Sequence, residues 1–294
     1  MSAPRITQRL IMQRSLAAMQ LSLSRVQNSQ EKLSTGRQIN RPSDSPTGTS
    51  EAMRLRAQMA AETQYSRNAQ DGSSWLGTTD STLTGMLDEV TRARDLLVQA
   101  SSTGSSDATS QQAIATELGQ IRESLLSSAN TQLLGRPIFG GTTGSPVAYD
   151  PTGTFKGDSH PVTRTVGDGV TVRVDISGPE VFSANGDDLF TVLGDATQAL
   201  TSGGDPSSML TRLDAVFTQM KTGLADIGAR ENRIDQATSR LSSSAVDNTA
   251  ALSNIENVDI ASAITDLQMQ QVSYQASLGA TARVIQPSLL DFLR

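Results

Sequence analysis

Two long stretches without proline constrain the fold of this chain more than any other feature. The sequence has 294 residues and ten prolines, yet none lies within residues 47–136 and none within residues 207–286. Proline breaks the interior of a helix, because it lacks the backbone N–H and its ring clashes with the preceding turn. Turn-forming residues cluster instead at 36–48, 135–187 and 201–206. The two proline-free stretches are therefore predicted to hold long helices.

Apolar residues recur in these two stretches at alternating steps of three and four residues. This spacing places them on one side of a helix and is typical of helices that pack as coiled coils. The first stretch contains a stripe of Ile114, Leu118, Ile121 and Leu125. The second stretch contains a longer stripe of Leu210, Leu213, Phe217, Met220, Leu224, Ile227 and Ile234.

The same spacing marks both ends of the chain. The N-terminal stripe consists of Met12, Leu16, Met19, Leu23, Val26 and Leu33. The C-terminal stripe consists of Ile260, Ile264, Leu267, Tyr274, Leu278 and Ile285, with Gln271 and Thr281 as polar interruptions. These interruptions are either chance polar positions or residues that set the register of the pair, as a buried polar residue does in a coiled coil. Because the two stripes have similar lengths, we expect the terminal helices to pair in antiparallel fashion.

The middle of the chain follows a different pattern. Val170, Val172, Val174 and Ile176 alternate with Thr171, Arg173 and Asp175. A period of two predicts a strand whose valine face is buried and whose polar face is exposed. A short helix is expected next, with its buried side formed by Leu189, Leu193, Ala196 and Leu200. The sequence therefore predicts a mainly α fold, with long antiparallel helical coiled-coil arms from both termini and a small inserted β-rich domain.

The terminal arms carry more apolar residues than one helix pair can cover. Residues outside the two stripes are also apolar, namely Leu10, Ile11, Leu21, Val272 and Val284. A second apolar face on a helix needs a second neighbour. The final positions add a further apolar patch of Leu289, Leu290, Phe292 and Leu293. We expect these side chains to be covered by other copies, through unlike patches that propagate as a helix.

Composition argues against several classes of function. The net charge is −6 and aromatic residues make up 3% of the chain, so neither a basic surface nor a stacking platform for nucleic acid is expected. The chain has no cysteine, which excludes disulfides, thiolate metal sites and cysteine nucleophiles. Apolar runs are too short to span a bilayer, so membrane insertion is not expected either.

Candidate catalytic and metal-binding residues are few. The single histidine, His160, could pair with Ser159 and Asp158, but a histidine in a loop rich in glycine and proline is more often exposed to solvent. Five aspartates of the middle segment could suggest calcium, yet their spacing lacks the alternation of a calcium-binding loop. They fit turn-forming positions better, and they are Asp150, Asp158, Asp168, Asp187 and Asp188. No catalytic, metal or cofactor site is predicted, and the chain is not expected to be an enzyme.

Three segments of this chain resemble those of the bacterial flagellin family. Residues 33–46 (LSTGRQINRPSDSP) resemble the motif that follows the first flagellin helix, and residues 68–104, beginning NAQDG, resemble a flagellin segment of two helices joined by a bend. Residues 255–294 resemble the flagellin C-terminal signature. The motif residues near the first junction are Arg41, Pro42, Ser43, Asp44 and Pro46.

The resemblance implies a division of the chain into five segments. Residues 1–40 and 256–294 would form the two halves of a helical domain that lines an inner tube. Residues 41–136 and 204–255 would form the two halves of a helical rod around that tube. Residues 137–203 would form an outer β-rich domain.

Within the family, the sequence is most similar to the hook-associated branch that joins hook to filament. The features responsible are Pro46, the segment 133–141 (LLGRPIFGG) and the ending 289–294 (LLDFLR). Ser45 departs from the aspartate that is common at that position. The implied location is outside the cell, at the hook–filament junction, after export by the flagellar type III apparatus. The implied partners are hook-associated protein 1, flagellin, copies of the chain itself in a helical ring, and an export chaperone.

Two other functions fit parts of the same pattern. A flagellin that forms the filament itself would share the terminal motifs and polymerise without limit. A secreted adhesin would carry the β-rich domain on a coiled-coil stalk, and its terminal residues would then be dispensable.

Overall fold

Long helices dominate the structure, a computed structural model that describes residues 3–102 and 107–285 and the side chains of residues 10, 12–102 and 107–282. The helices are α1 (Ala3–Thr35), α2 (Pro46–Ser101), α3 (Ala108–Ala129), α4 (Gly178–Phe182), α5 (Leu189–Thr201), α6 (Ser207–Glu256) and α7 (Ile260–Ile285). The first proline-free stretch holds α2 and α3, and the second holds α6 and α7, so the long helices lie where the sequence predicts them.

The strands form short antiparallel hairpins in the middle of the chain. They are β1 (Gln132–Leu133) with β2 (Arg136–Pro137), β3 (Thr163–Gly167) with β4 (Val170–Arg173), and β5 (Ser183–Ala184) with β6 (Asp187–Asp188). Asn185 and Gly186 adopt positive φ angles between β5 and β6, as a two-residue hairpin turn requires. The predicted class, mainly α with a small inserted β-containing segment, is confirmed.

The chain divides into two compact units. Unit 1 comprises residues 1–60 and 245–294, and unit 2 comprises residues 61–244. The large hydrophobic cluster lies entirely in unit 2, where α2, α3, α5 and α6 pack with the middle segment. Four aromatic side chains are buried at the centre of that segment, with ring centroids 4.8–5.9 Å apart along the contacts that link them, and they are Phe139, Tyr149, Phe182 and Phe190. Burial raises the pKa of the Tyr149 hydroxyl, and the nearby Asp188 adds to this effect.

The buried side of α6 differs in detail from the predicted stripe. Leu213, Met220 and other residues at seven-residue intervals are fully buried as predicted. Between them, however, the buried positions are Val216 and Gly223, whereas Phe217 is only half-buried. A Cβ added at Gly223 would lie 3.1 Å from the Val181 side chain, so this face of α6 approaches the middle segment closely. The sequence pattern favours large apolar residues and therefore misses a small residue at a close approach.

The prediction of which strand residues are buried and which are exposed is also partly wrong. Val170 is exposed, and Asp175, which the alternation places outside, is fully buried. The Asp175 carboxylate accepts a hydrogen bond from the Val162 N–H at 2.7 Å, and it forms an ion pair with Arg173 at 3.0 Å. Buried charges are tolerated when they are paired and hydrogen-bonded in this way. The buried ion pair depends on contacts that a period of two does not encode.

Helix α2 runs without interruption through the NAQDG segment, where the family resemblance implied a bend between two helices. Gly72 of that segment lies where α2 meets Ile234 of α6 and Val174 of the middle segment. A Cβ at Gly72 would lie 3.0 Å from each of those side chains. Trp75, one turn further on, is buried in the core.

Candidate subunit-packing surface of the terminal helices

Helices α1 and α7 pack against each other in unit 1, with the end of α1 beside the start of α7. Two backbone hydrogen bonds fix this crossing: the Gln38 N–H donates to the Glu256 carbonyl at 2.6 Å, and the Val258 N–H donates to the Gly36 carbonyl at 3.0 Å. The antiparallel pairing expected from the sequence follows from this arrangement. We call these two hydrogen bonds, with the residues that make them, the backbone clip.

An ion pair to a buried carboxylate reinforces the backbone clip. The Glu256 carboxylate is 9% exposed and lies 2.7 Å from the guanidinium of Arg56 on α2. An uncompensated buried carboxylate would be costly, so Arg56 makes the burial of Glu256 possible. The clip and the ion pair set the register in which α1 meets α7.

The flagellin-like motif shapes the turn that leads from α1 into α2. One oxygen of Asp44 accepts the backbone N–H groups of Arg41 at 2.8 Å and Asn40 at 3.0 Å. These bonds lower the pKa of Asp44, with that from Arg41 the larger cause. The Arg41 side chain pairs with Glu31 of α1 at 3.1 Å. Asp44 therefore holds the turn, and Arg41 ties it to the first helix.

Pro46 and the departure at Ser45 both have local explanations. Pro46 is the first residue of α2, a position where the missing N–H has no helical partner. The Ser45 hydroxyl accepts the Gly48 N–H at 3.2 Å and so caps the helix. Serine and aspartate are both good N-caps, which accounts for the exchange. Pro42 and Ser43 are exposed.

The residues of the two terminal stripes are unequally covered. Among those whose side chains the structure describes, Val26 is buried, and the half-buried members are Met19, Leu33, Leu267 and Tyr274. The exposed members are Met12, Leu16, Leu23, Ile260, Ile264 and Leu278. Ile285 has no described side chain, and Leu289, Leu290, Phe292 and Leu293 lie outside the described residues.

Apolar residues beyond the stripes enlarge this exposed surface. Leu10 and Leu21 on α1, and Met269 and Val272 on α7, are also exposed. Together with the six exposed stripe residues, these side chains are 40–65% exposed. We call this set the apolar surface of the terminal helices. Single exposed leucines are ordinary, but this number of exposed apolar side chains on two paired helices favours protein association.

The polar interruptions of the C-terminal stripe have different surroundings. Gln271 is exposed, whereas Thr281 is buried. The Thr281 hydroxyl donates to the Ser277 carbonyl of its own helix at 2.8 Å. Thr281 is therefore satisfied within α7.

The candidate catalytic and metal-binding side chains are either exposed to solvent or hydrogen-bonded within local turns. The His160 side chain is 81% exposed, and its Nδ1 lies 3.7 Å from Asp158. Asp158 accepts hydrogen bonds from the Thr142 N–H and hydroxyl, which lower its pKa, and Asp150 serves the turn at Thr152 in the same way. These two aspartates are turn-forming, as the sequence suggests. Within the described ranges, no group of three or more His, Cys, Asp or Glu side chains is placed to hold a metal ion.

In the described part of the chain, no helix has the length and apolar character needed to cross a bilayer.

The fold and the surface define a class of protein: a mainly helical chain whose first and last helices pair and expose apolar side chains to solvent. Two family models match it, the bacterial flagellin N-terminal helical region over residues 6–143 and the C-terminal helical region over residues 210–293. Together they cover most of the sequence. The chain belongs to the bacterial flagellin family, a family of flagellar structural proteins, and is a component of the flagellum.

Similar proteins fall into two groups. A flagellin of Bacillus subtilis is 28% identical over 91% of this chain and 92% of that protein. Flagellar hook-associated protein 3 of Salmonella typhimurium is 27% identical over 84% of this chain and 86% of that protein. The family resemblance read from the sequence is thereby confirmed, and the two groups correspond to the two flagellar functions weighed there.

Solved structures share the fold. Flagellar hook-associated protein 3 of Legionella pneumophila superposes with a TM-score of 0.63 at 14% identity, covering 68% of this chain and 98% of that chain. FlgL of Bacillus cereus superposes with a TM-score of 0.60 at 24% identity, covering 68% and 99%. At these identities the likeness concerns the fold alone.

Proposed function

We propose that this protein is a structural subunit of the bacterial flagellum that joins the hook-side ring to the flagellin filament. Its terminal helices would pack with those of neighbouring copies in an inner tube. Its helical rod and middle segment would lie outside that tube, following the five segments expected from the sequence. The proposed role is mechanical, and the proposed location is the hook–filament junction outside the cell.

The apolar surface of the terminal helices is the observation that carries this proposal. Burying a large aliphatic side chain contributes about 1.5–3 kcal/mol relative to full exposure. Side chains that are already half-covered gain a correspondingly smaller amount each, but they occur in number on both helices. A subunit that packs its ends against several neighbours recovers this free energy at each contact.

The junction role, rather than a filament role, is supported by two features. The sequence carries the LLGRPIFGG step and the LLDFLR ending that resemble hook-associated members of the family. Flagellar hook-associated protein 3 of Salmonella typhimurium is also similar in sequence over 84% of this chain. Proposed partners are hook-associated protein 1 on one side, flagellin on the other, and an export chaperone before assembly.

A filament role is the second candidate. The observation that favours it is the identity to the Bacillus subtilis flagellin, which extends over 91% of this chain. The two candidates differ in polymerisation, since a filament protein adds to itself without limit and a junction protein does not.

Polymerisation of the purified protein separates the two candidates. The protein is concentrated under conditions in which a flagellin polymerises, alone and then with flagellin added, and the products are imaged by electron microscopy. The junction role predicts short assemblies from the protein alone and long filaments only after flagellin is added. Long filaments from the protein alone would assign the filament role instead.

Substitution in the apolar surface tests the packing itself. In a strain lacking this protein, the unaltered chain should restore external filaments and the Leu16→Asp variant should not. Leu16 is exposed in the single chain, so the purified variant should keep its helical circular dichroism. Ser24→Asp introduces the same charge at an exposed polar position of the same helix and should restore filaments. If both variants restored filaments, or if neither did, the apolar surface would not be the basis of assembly.

A further inference from the structure

The tip of the β1–β2 hairpin presents an apolar side chain to solvent in an unusual backbone conformation. Leu134 is 84% exposed and has a φ of 52°, and Gly135 beside it has a φ of 77°. Two-residue turns of this kind favour asparagine and glycine, the pair found at the tip of the β5–β6 hairpin. In the isolated chain, Leu134 therefore contributes no burial, and its positive φ is unfavourable for a leucine.

A groove of matching character lies elsewhere in the same unit. It runs between the β3–β4 hairpin and α6 and has a volume of about 160 Å³. Valine and leucine side chains form much of its wall, with Arg240 on the α6 side, and it is lined by Val166, Gly167, Val170, Ala237, Arg240, Leu241 and Ser244. A volume near 150 Å³ accommodates one bulky apolar group, so the groove has room for a single leucine side chain.

We propose that the Leu134 tip of one copy of this chain inserts into the β3–β4/α6 groove of a second copy. Leucine is the right size and polarity for the groove, and its exposure at the tip leaves it free to insert. The contact goes beyond the proposed function because neither patch belongs to the terminal helices.

Charge complementarity orients the insertion. Arg136 follows the tip and Asp168 lies at the turn of the β3–β4 hairpin, and both are exposed. Neither side chain takes part in an ion pair with the described residues of its own chain. Arg240, on the opposite wall, repels Arg136, so the tip enters with Arg136 towards Asp168. Such a pair is weak at a surface but selects between orientations.

The geometry of this contact makes it a propagating one. The tip and the groove are different patches of the same chain, so the contact is heterologous. Each copy that inserts its tip still offers an empty groove to the next copy. A contact of this kind builds rings or helical arrays rather than closed dimers.

Cysteine pairs test the contact directly, because the natural chain contains no cysteine. Full-length Leu134→Cys and Val170→Cys proteins are mixed at high concentration and oxidised, and the cross-linked product containing one copy of each is quantified. A disulfide requires Cα atoms about 4.4–6.8 Å apart, so it forms only if the tip reaches the groove. The control pairs Leu134→Cys with Thr171→Cys, an exposed neighbour of Val170 that does not line the groove.

The expected result is a yield at least about tenfold higher for the Val170 pair than for the Thr171 pair. Adding Asp168→Arg should lower that yield about fivefold, and combining it with Arg136→Asp should restore it. Equal yields for the two pairs, or equally strong linking of Leu134→Cys to itself, would overturn the proposal. The Leu16→Asp filament test probes the terminal helices and the cross-linking test probes the hairpin tip and groove. The proposed function and the proposed contact can therefore be refuted independently of each other.

Discussion

Gly72 should be a position where the usual benefit of replacing glycine in a helix is reversed. Alanine is favoured over glycine inside a helix by about 1 kcal/mol. At Gly72, however, a Cβ would lie 3.0 Å from both the Ile234 and the Val174 side chains. Both neighbours are fully buried, so they have little room to move aside.

The magnitude follows from setting the two effects against each other. Overpacking a filled core by added carbon atoms costs about 1–3 kcal/mol. Subtracting the helix-propensity gain leaves a net loss of about 1 kcal/mol for Gly72→Ala. The matched control is Gly85→Ala on the same helix, where a Cβ would meet no described atom within 4 Å. That variant should gain about 1 kcal/mol, so the two should differ by about 2 kcal/mol.

The single tryptophan provides the assay. Trp75 lies in the core of unit 2, one turn from Gly72, so its fluorescence reports the unfolding of that unit. For a unit of this size, a change of 1 kcal/mol shifts the midpoint temperature by about 2–4 °C. Gly72→Ala should therefore melt a few degrees below the unaltered protein, and Gly85→Ala a few degrees above it. If both variants gained stability equally, close packing would not be the reason for glycine at position 72.

Three further substitutions test individual contacts. Asp175→Asn keeps the shape of the buried side chain but removes the charge that Arg173 and the Val162 N–H contact. Because Arg173 keeps its ion pair with Glu180, the substitution should lower the free energy of unfolding of unit 2 by about 2 kcal/mol in denaturant titrations. Glu231→Gln should stabilise unit 2 at neutral pH, because burial, with the help of nearby aspartates, raises the pKa of Glu231. A raised folded-state pKa favours folding at low pH, and that advantage is lost as the pH rises through it, so the benefit of glutamine should vanish below the ordinary glutamate pKa. Arg56→Gln should leave Glu256 buried without its partner and loosen the α1–α7 pairing, seen as faster amide exchange at Val258.

Sequence periodicity predicted the helices because their apolar spacing is local. Each stripe needs only the turn geometry of its own helix, and proline-free length gives the approximate extent. The same reasoning located the fully buried side of α5, where Leu189, Leu193, Ala196 and Leu200 are all buried as expected. Hairpin tips were less predictable, since the Leu134–Gly135 turn lacks the asparagine that usually marks one.

Contacts between distant residues were not predictable from pattern alone. The Arg56–Glu256 ion pair joins positions 200 residues apart, and the backbone clip involves main-chain groups that carry no side-chain signal. The burial of Asp175 depends on Val162 and Arg173 meeting it in three dimensions. The terminal stripes lie on the two paired helices, but periodicity does not tell which of their residues face the helix partner and which stay exposed.

The contrast in burial between the two units bears directly on assembly. Unit 2 contains the large hydrophobic cluster and can account for its own stability, whereas the described part of unit 1 buries few apolar side chains, among them Val26, Leu55 and Ala263. Opening of α1 and α7 should therefore cost less free energy than opening of the core of unit 2. Any neighbour that binds only the paired helices stabilises them by mass action. In the proposed assembly, neighbouring subunits would then supply to unit 1 the burial that its own residues lack, so ordering of the ends and incorporation into the flagellum would be one coupled step. Hydrogen exchange on free and assembled protein would detect this as protection gained mainly in α1 and α7, and equal protection of these helices in both states would contradict it.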